Sequence, residues 1–469
     1  MEKFDVVIIG AGSAGYVAGI RLAQLGKQVA VIEEDKVGGT CLNYGCIPTK
    51  ALLTLTERLA ELKSLQRAGV TVKSIEIDRD KVKRWKETVS MRLRKGVEAL
   101  LKANGAKLIS GRAELLGNDG VKVETSEGVV ELKADSIVVA TGSETMPIPG
   151  IEFDHERILT SRDMLELPDF SGDGHLVIVG AGAIGLEFAT IYERLGVKIT
   201  VVEMMGQVLP GFDSEIADVV HKLLKRQGIK VHLGTKVEGV NLSADGKVVV
   251  KAQKGSGESF EIEGDKVLIA IGRRPRSRGF GLESLGVELD RRGYVQVNER
   301  FETNVPNVYA IGDVAGAPLL AHKAHKEGIA VAEIIAGIRS GDRPKVIPAA
   351  IFTMPEIATV GMTEDEAKAQ GIEVAIGRFP FSANGRAVTM GIIDGLVKIV
   401  AERGTGRILG AHMVGADVSN MVSELALAIE HGLTVEQLGR VVHPHPTLSE
   451  AIMEAAENAL HKAIHILNR

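Results

Sequence analysis

The chain has 469 residues, of which 45% are hydrophobic and 25% are charged, and this predicts a folded protein of roughly three or four domains. Its formal net charge of −5 supplies no overall basic field, so we expect neither a nucleic acid nor a membrane surface as a partner. No apolar run reaches the roughly 20 residues that a membrane-spanning helix needs, and the first residues lack a cationic leader, so we expect a cytoplasmic protein.

The first predicted elements are a strand, a glycine-rich turn and a helix. Apolar residues from Val6 lead into Gly10-x-Gly12-x-x-Gly15, and a second apolar strand ends at Glu33. The first glycine permits a tight turn, the second admits the pyrophosphate of a dinucleotide, and the third lets the helix pack on the strand. The helix N-terminus attracts the phosphates, and Glu33 can accept from ribose hydroxyls. The pattern predicts a dinucleotide site.

The two cysteines of the chain, Cys41 and Cys46, follow in TCLNYGCIPTK. A distorted helical turn can bring them to the roughly 5.5 Å Cα separation of a disulfide, and Lys50 supplies a cation that favours a thiolate. A redox-active dithiol is the favoured interpretation, and a zinc site or two inert thiols are the alternatives. Gly39 lets the backbone lie against a flat ligand, and Thr40 joins the expected cofactor-binding residues.

Residues 79–95 predict a basic helix with an apolar stripe at Val82, Trp85, Val89 and Leu93. The favoured interpretation is a solvated helix that packs through this stripe, and docking of an acidic partner is the alternative. We assign this helix no function.

The dinucleotide pattern returns 170 residues later, from Leu176, with Gly180, Gly182, Gly185 and Glu203 at the matching positions. Two units in register indicate two nucleotide sites, and two structural βαβ units without ligand are the alternative. Because the carboxylate of Glu203 repels a 2′-phosphate and no arginine follows it directly, NAD is favoured over NADP.

Three further predicted strands end in small-residue turns within 136–143, 266–275 and 307–316. Since ligands bind at the carboxyl ends of parallel strands, we expect these turns to border the cofactors. The residues concerned are Thr141, Gly142, Gly272, Gly312 and Asp313. Asp313 could equally be an ordinary turn residue.

From about residue 346, short β patterns alternate with two helical patterns, SNMVSELALAIEHG and TLSEAIMEAAENALHKAIHIL. They predict an α+β domain with large apolar faces that pack against something else. Its segment VHPHPTLSE places His445 between two prolines, which hold it in extended geometry. Such an imidazole suits proton transfer near neutral pH.

Two alternatives compete for this segment. Glu450 could orient the ring of His445, or it could form a capping box with Thr447 at the start of the last helix. His443 and His445 could also form a metal pair, although we expect no metal.

A dithiol cannot exchange a hydride with NAD by itself, because its electrons leave through sulfur bonds. An intermediary is needed that can react with both, and flavin is the common one. We therefore expect FAD on the first nucleotide unit and NAD on the second.

Together these residues resemble the flavin disulfide reductase family over nearly the whole chain, and GGTCLNYGCIPTK is the most specific match. The resemblance implies an α/β fold with two Rossmann-like domains and an α+β C-terminal dimerisation domain. We expect an FAD-binding domain at 1–148, an NAD-binding domain at 149–275, a return segment of the FAD domain at 276–345 and the dimerisation domain at 346–469. Tyr44 stands where many members carry valine.

Within the family, the stretches LLAHKAHKEG, FTMPEIATVG and VHPHPTLSE are most similar to members that oxidise dihydrolipoamide with NAD+. This implies a homodimer that serves the lipoyl-bearing acyltransferase or H protein of a 2-oxo acid dehydrogenase or glycine cleavage complex. A glutathione reductase and a non-catalytic nucleotide-binding scaffold are the alternatives.

By resemblance, Cys41 exchanges with the substrate and Cys46 contacts the flavin, and Lys50 lies with Glu187 near the flavin and the nicotinamide. His445 is the base that serves the disulfide of the neighbouring subunit. The resemblance further implies that Glu450 is the partner of His445 and that the peptide bond between His445 and Pro446 is cis. The resemblance also implies that FAD is contacted by Ala113 at its adenine, by Asp313 at its ribityl chain and by Ala321 at the flavin edge. It implies that Val237 contacts the adenine of NAD.

Overall fold

The structure is a computed structural model that describes residues 2–170, 174–338 and 343–468. Its first unit begins with an alternation of strand and helix that the glycine turn makes possible. The elements of this unit are β1 (Glu2–Ile9), α1 (Ser13–Gln24), β2 (Val29–Glu33), α2 (Gly39–Tyr44), α3 (Cys46–Ser64), a 3₁₀ turn (Leu65–Ala68), α4 (Arg79–Ala103), β3 (Lys107–Ser110), β4 (Arg112–Leu115), β5 (Gly120–Thr125), β6 (Gly128–Val139) and β7 (Ser143–Thr145).

The second unit repeats the same alternation. Its elements are β8 (Ile158–Leu159), α5 (Ser161–Met164), β9 (His175–Val179), α6 (Ala183–Arg194), β10 (Lys198–Val202), α7 (Ser214–Arg226), β11 (Lys230–His232), β12 (Thr235–Leu242), β13 (Val248–Lys254), β14 (Ser259–Gly264), β15 (Lys266–Ile269) and β16 (Arg273–Pro275). The sheet order β11-β10-β9-β15-β8 is entirely parallel, and β12, β13 and β14 form an antiparallel layer beside it.

The chain then returns to the first sheet. The elements of this return are β17 (Val308–Ala310), a 3₁₀ turn (Gly312–Ala315) and α8 (Ala321–Ile335). The first sheet has the order β3-β2-β1-β6-β5-β4, and β17 pairs with β6 in parallel. β7 pairs with β16 in a two-stranded ribbon where the chain passes between the units. The domain boundaries after 148 and 275 stay predictions.

The C-terminal unit is an antiparallel sheet covered by helices. Its elements are β18 (Ala349–Ile351), β19 (Glu356–Gly361), α9 (Glu364–Ala369), β20 (Val374–Pro380), a 3₁₀ turn (Phe381–Ala383), α10 (Gly385–Met390), β21 (Leu396–Glu402), β22 (Ile408–Gly415), α11 (Val418–Glu430), α12 (Val435–Gly439) and α13 (Glu450–Ala459). The strand order is β18-β19-β22-β21-β20. These three units confirm the expected fold class.

The parallel strands of both sheets are buried on two faces, as continuous apolar strands require. In β1, Val6 and Ile8 pack with α1 and α8, whereas Val7 and Ile9 pack on the opposite face. The helices among the described residues include none that is long and apolar enough to span a membrane.

The expected packing face of the basic helix is only partly correct, since Val82 packs against the apolar core and Val89 is half-buried. α4 buries Lys86, Ser90, Val97 and Leu101, whereas Trp85 is 42% exposed and Leu93 is 42% exposed. Contacts with a distant part of the chain turn the Lys86 face inward. The ammonium group of Lys86 donates to the carbonyl of Leu165 at 2.6 Å and to the carboxylate of Glu166 at 3.0 Å. A buried lysine is tolerated when it finds such partners.

The last helix is shorter than its sequence pattern predicts. α13 ends at Ala459, and His461 has a φ of 57°, which leaves the helical region. The carboxylate of Glu454 then accepts from the backbone N–H groups of Ile464 and His465 at 3.1 and 3.4 Å. Residues beyond α13 therefore fold back on it.

Candidate functional site

The first glycine turn leaves space in front of α1. Gly10 has a φ of 100°, and a Cβ there would lie 2.5 Å from the carbonyl oxygen of Ala140. A Cβ at Gly15 would lie 1.8 Å from the carbonyl oxygen of Gly10, whereas one at Gly12 would meet nothing closer than 3.9 Å. The turn therefore needs Gly10 and Gly15 for its own packing, and Gly12 keeps an approach open to the helix N-terminus, which fits a dinucleotide pyrophosphate.

The second turn repeats this arrangement. A Cβ at Gly180 would lie 2.4 Å from the carbonyl oxygen of Ala270, and one at Gly185 would lie 2.1 Å from that of Gly180. No atom lies within 4 Å of a Cβ at Gly182. The open position in front of α6 fits a second dinucleotide.

Glu33 and Glu203 bind backbone amides. Glu33 accepts from the N–H groups of Ala11 at 2.8 Å and Asp35 at 3.0 Å. In the same way Glu203 accepts from two N–H groups, those of Ala181 and Met205, each at 2.8 Å. Each carboxylate thus ties its glycine turn to the end of the second strand, a role that the sequence analysis missed. Ribose binding by these carboxylates stays a prediction.

The cysteine pair lies where α2 and α3 meet. A Cβ at Gly39, at the start of α2, would lie 2.7 Å from Cα of Gly12, so this segment abuts the first glycine turn. α2 ends before Gly45 and α3 begins at Cys46. Cys41 and Cys46 are both free thiols.

The two thiols differ in acidity. A hydrogen bond from Cys41 lowers the pKa of Cys46 to about 7, and the cation of Lys50 acts in the same direction against the effect of burial. The same hydrogen bond and burial raise the pKa of Cys41. Cys46 is therefore the more acidic of the two thiols, and Cys41 is the thiol that donates to it.

Lys50 and Glu187 form an ion pair between the first two units. The ammonium nitrogen of Lys50 lies 2.8 and 2.9 Å from the two carboxylate oxygens of Glu187. The N–H of Phe352 also donates to Glu187 at 3.0 Å, and the ring centroid of Phe352 lies 4.8 Å from the Lys50 nitrogen. One carboxylate therefore joins α3, α6 and the C-terminal unit beside the cysteine pair.

The expected strand-end turns gather around Asp313. Ser143 donates to the carboxylate of Asp313 at 2.5 Å, and the guanidinium group of Arg273 donates to the hydroxyl of Ser143 at 2.8 Å. Thr141 donates to the carbonyl of Arg276 at 2.6 Å. Gly142, Gly272 and Gly312 all have positive φ angles, of 73°, 131° and 75°. Sequence reasoning missed Ser143 and Arg273, although both lie within the turns that it singled out.

Three residues that the resemblance implies as cofactor contacts lie in three different elements. Ala321 is the first residue of α8. Ala113 in β4 and Val237 in β12 are buried in the apolar cores of their units. Their side chains face those cores, which leaves the backbone as the part that could contact a nucleotide.

Tyr44 is held by charged neighbours. Its hydroxyl donates to Asp35 at 3.2 Å, and the guanidinium carbon of Arg162 lies 3.7 Å from its ring centroid. Burial and the bond to Asp35 raise the pKa of Tyr44 to about 12. Its aromatic ring thus joins the cysteine segment to α5 of the second unit through a cation–π contact.

His445 and Glu450 are in contact. The Nδ1 atom of His445 lies 2.8 Å from one carboxylate oxygen of Glu450, and the other oxygen accepts from the N–H of Thr447 at 2.8 Å. α13 begins at Glu450, so Thr447 is not its N-cap. Burial acts to raise the pKa of Glu450, but these two hydrogen bonds outweigh it and lower the pKa. Glu450 therefore serves His445 and the loop together.

His443 faces another carboxylate. Its ring lies 2.9 Å from Glu424 and 2.9 Å from the carbonyl oxygen of Val441. Across the described ranges, no group of three His, Cys, Asp or Glu side chains is arranged to hold a metal ion. The peptide bond between His445 and Pro446 is cis, as expected.

Comparison with known proteins identifies the family. Residues 4–328 match the family described as pyridine nucleotide-disulphide oxidoreductase, and residues 347–456 match its dimerisation domain. The chain belongs to the pyridine nucleotide-disulphide oxidoreductase family.

Several members of this family resemble the chain over its full length. It is 46% identical to the dihydrolipoyl dehydrogenase of Thermus scotoductus over 100% of both chains. It is 44% identical to that of Halobacterium salinarum, with 99% of this chain and 98% of the relative covered. The crystal structure of LpdA from Mycobacterium tuberculosis has a TM-score of 0.88 at 30% identity and covers 97% of this chain and 99% of its own.

Membership of the pyridine nucleotide-disulphide oxidoreductase family confirms an oxidoreductase with FAD and NAD as cofactors. The two open glycine turns fit these two nucleotides. The C-terminal unit is the dimerisation domain of the family. In the single chain, the side chain of His445 is 78% exposed and Val442 is 92% exposed, and both lie on that unit.

Proposed function

We propose that the chain oxidises protein-bound dihydrolipoamide to lipoamide with NAD+ as the electron acceptor. The observation that carries this function is the cysteine pair, in which Cys46 is the acidic thiol and Lys50 joins the pair to Glu187 at the junction of the nucleotide units. Dihydrolipoyl dehydrogenases at 40 to 46% identity over 98 to 100% of their length support the choice of substrate.

The chain's own residues carry the thiol chemistry. In the oxidised pair, one thiolate of dihydrolipoamide attacks the sulfur of Cys41 and releases Cys46 as a thiolate. The second substrate sulfur then attacks the first, which closes the lipoamide ring and releases Cys41. The disulfide is reduced and the substrate dithiol is oxidised, so one electron pair has moved to the cysteines.

His445 takes the protons that the substrate thiols lose, and Glu450 holds the ring of His445 in position. In our proposal His445 comes from the partner subunit, because its ring is exposed on the dimerisation domain of the family. Each site would then need two chains.

The two glycine turns would hold the nucleotides. Gly10, Gly12, Gly15 and Asp313 would hold FAD, and Gly180, Gly182 and Gly185 would hold NAD. The chemistry that FAD supplies when bound is the exchange of electrons between thiols and a nicotinamide. Lys50 and Glu187 place a paired charge at this junction, where they can orient both nucleotides.

The partner that carries the lipoyl group is, in this proposal, the acyltransferase or H protein of a 2-oxo acid dehydrogenase or glycine cleavage complex. The location proposed for the chain is the cytoplasm, where thiols are kept reduced. A pull-down with a lipoylated acyltransferase domain and with a lipoylated H protein, each against its unlipoylated form, distinguishes the two carriers.

The activity test compares NAD+ with NADP+ and dihydrolipoamide with glutathione and mercuric ion. We expect turnover with dihydrolipoamide and NAD+, and a large loss of turnover in Cys41→Ser and His445→Gln. Faster turnover with glutathione and NADP(H) would instead identify a glutathione reductase. Anaerobic titration with NADH should produce two new thiols per chain, and a nucleotide-binding scaffold would produce none.

A further inference from the structure

Two opposite charges lie buried on α8. The side chain of Lys323 is 3% exposed and that of Glu327 is 1% exposed, and their charged atoms lie 3.3 Å apart. The residues are one helical turn apart, so both project from the same face of α8. Burying such a pair carries a desolvation cost that the attraction between its charges need not offset, so stability alone does not explain its place in the fold.

Both side chains form hydrogen bonds with the backbone of the turn that carries Asp313. Glu327 accepts from the N–H of Gly312 at 2.7 Å. Lys323 donates to the carbonyl of Gly316 at 2.7 Å and to that of Gly312 at 3.4 Å. The two ends of the turn are therefore bound to one rigid helix, with Asp313 between them.

The same helix is fixed against α1. A Cβ at Gly328 would lie 2.6 Å from the carbonyl oxygen of Ala14, and a Cβ at Gly312 would lie 3.1 Å from Cβ of Ala14. Ala14 lies in the first turn of α1. α8 thus sets the distance between the first glycine turn and the turn that carries Asp313.

We propose that the Lys323–Glu327 pair is a positioning device for FAD, which holds the Asp313 turn at a fixed distance from the N-terminus of α1. The inference rests on the proposed function, since it takes this site to be the one that binds FAD. It assigns a role to two residues that do not contact the reacting atoms. A pair that served only folding would leave the binding of FAD unaffected wherever the protein stays folded.

The test measures how fast FAD leaves the purified holoenzyme, by the increase in flavin fluorescence, in Glu327→Leu and Glu327→Gln. Leucine removes the acceptor of the Gly312 N–H, and we expect the rate of FAD loss to rise about tenfold or more. The amide oxygen of glutamine still accepts from Gly312, so we expect an increase of about threefold at most. Far-UV circular dichroism follows unfolding on the same samples.

A matched control is available at Asp213, whose buried carboxylate also accepts from backbone N–H groups and from a buried lysine, Lys398. We expect Asp213→Leu to lower Tm while FAD loss stays within about twofold of wild type. Equal FAD loss in Glu327→Leu and wild type, or in Glu327→Leu and Asp213→Leu, would overturn the inference.

If Glu327→Leu does not fold, Lys323→Met provides the second test, because it removes the donor to Gly312 and Gly316. We expect faster FAD loss below its unfolding temperature, and FAD loss only on unfolding would overturn the inference. A wild-type protein that binds no FAD would instead refute the proposed function, so the two failures are distinguishable.

Discussion

The acidity of the Cys46 thiol depends chiefly on one neighbour, Cys41. The hydrogen bond from Cys41 is the main cause that lowers the pKa of Cys46 to about 7, and burial opposes it. We predict that Cys41→Ala raises the pKa of Cys46 in the reduced protein, because the donor is lost while burial remains. The measurement is the pH dependence of thiolate absorption or of alkylation by iodoacetamide.

Cys41→Ser is the matched control, since a hydroxyl can still donate to the Cys46 sulfur. We expect its titration midpoint to lie between those of wild type and Cys41→Ala. An unchanged midpoint in Cys41→Ala would show that Lys50, and not Cys41, sets the acidity of Cys46.

The two carboxylate oxygens of Glu450 have different partners, one in the proposed catalysis and one in the fold of the loop. One binds His445 and the other binds the N–H of Thr447, so Glu450→Ala removes both contacts. We predict that Glu450→Ala lowers kcat by about 100-fold, within the range that general-base catalysis contributes. Glutamine keeps one acceptor oxygen, and the loss in Glu450→Gln should be smaller.

Steady-state kinetics and a Tm measurement on the same samples test this prediction. Glu436→Gln, at an exposed ion pair with Arg440 on the neighbouring α12, is the control and should keep both kcat and Tm. A Glu450→Ala protein with lower Tm and wild-type kcat would assign Glu450 to the loop alone.

Among the structural elements, α6 begins with two glycines that differ in function: Gly182 leaves space for a ligand and Gly185 allows close packing. Gly182 has φ −80° and ψ −175°, a conformation open to any residue, and open space around it, whereas a Cβ at Gly185 would lie 2.1 Å from the carbonyl oxygen of Gly180. We predict that Gly182→Ala folds with a near wild-type Tm but raises KM for NAD+ by about tenfold, since its methyl group occupies the approach of the pyrophosphate. Gly185→Ala should lower Tm.

The two variants control each other, with KM for NAD+, KM for dihydrolipoamide and Tm measured for both. A Gly182→Ala protein with an unchanged KM for NAD+ would place the pyrophosphate elsewhere. KM for dihydrolipoamide should be the same in Gly182→Ala and in wild type.

The glycine turns were predictable because the spacing of their glycines is itself a local pattern, and Gly15 and Gly185 each face the carbonyl of the first glycine of their own turn. The face of α4 was not predictable in the same way. A helical pattern selects the apolar stripe, but Lys86 turns inward to partners on Leu165 and Glu166, about 80 residues later. Likewise, no local pattern shows that Glu33 binds the N–H of Ala11.

At the scale of the whole molecule, one buried lysine joins the second unit to the C-terminal unit. Lys398 of β21 is 1% exposed and lies within 3.0 Å of the carboxylates of Asp213, Glu215 and Glu364. Asp213 caps α7 of the second unit. Arg378 of β20 also binds Glu215, at 2.8 Å. This network fixes the second unit against the dimerisation domain.

We predict that Lys398→Met destabilises the protein by about 3 to 5 kcal/mol at neutral pH, because it leaves buried carboxylates without their cation. Burial acts to raise the pKa of Glu364, but hydrogen bonds from Lys368 and Lys398 lower it to about 2. A carboxylate with a depressed pKa contributes stability above its unfolded value of about 4.3 and loses it as the pH falls toward 2. The stability difference between wild type and variant should therefore shrink over that range.

Thermal unfolding of both proteins at about pH 7 and about pH 3 checks this linkage. Lys122→Met, at an exposed cluster with Glu114 and Glu124, is the control and should change Tm little at either pH. A Tm difference for Lys398→Met that grows on acidification would contradict the assigned network.

The last prediction concerns the homodimer, in which two chains would share each site. If each site takes Cys41 and Cys46 from one chain and His445 from its partner, a dimer of Cys46→Ser with His445→Gln has one intact site and one site with both defects. Two-fold symmetry and random exchange make half of the mixed dimers hybrid, so the mixture should recover about a quarter of wild-type turnover. Each parent variant alone should be nearly inactive. The measurement is dihydrolipoamide-dependent reduction of NAD+ after the subunits are dissociated and reassociated, with native mass spectrometry to count the hybrids. Hybrids that form and stay inactive would place His445 in the site of its own chain.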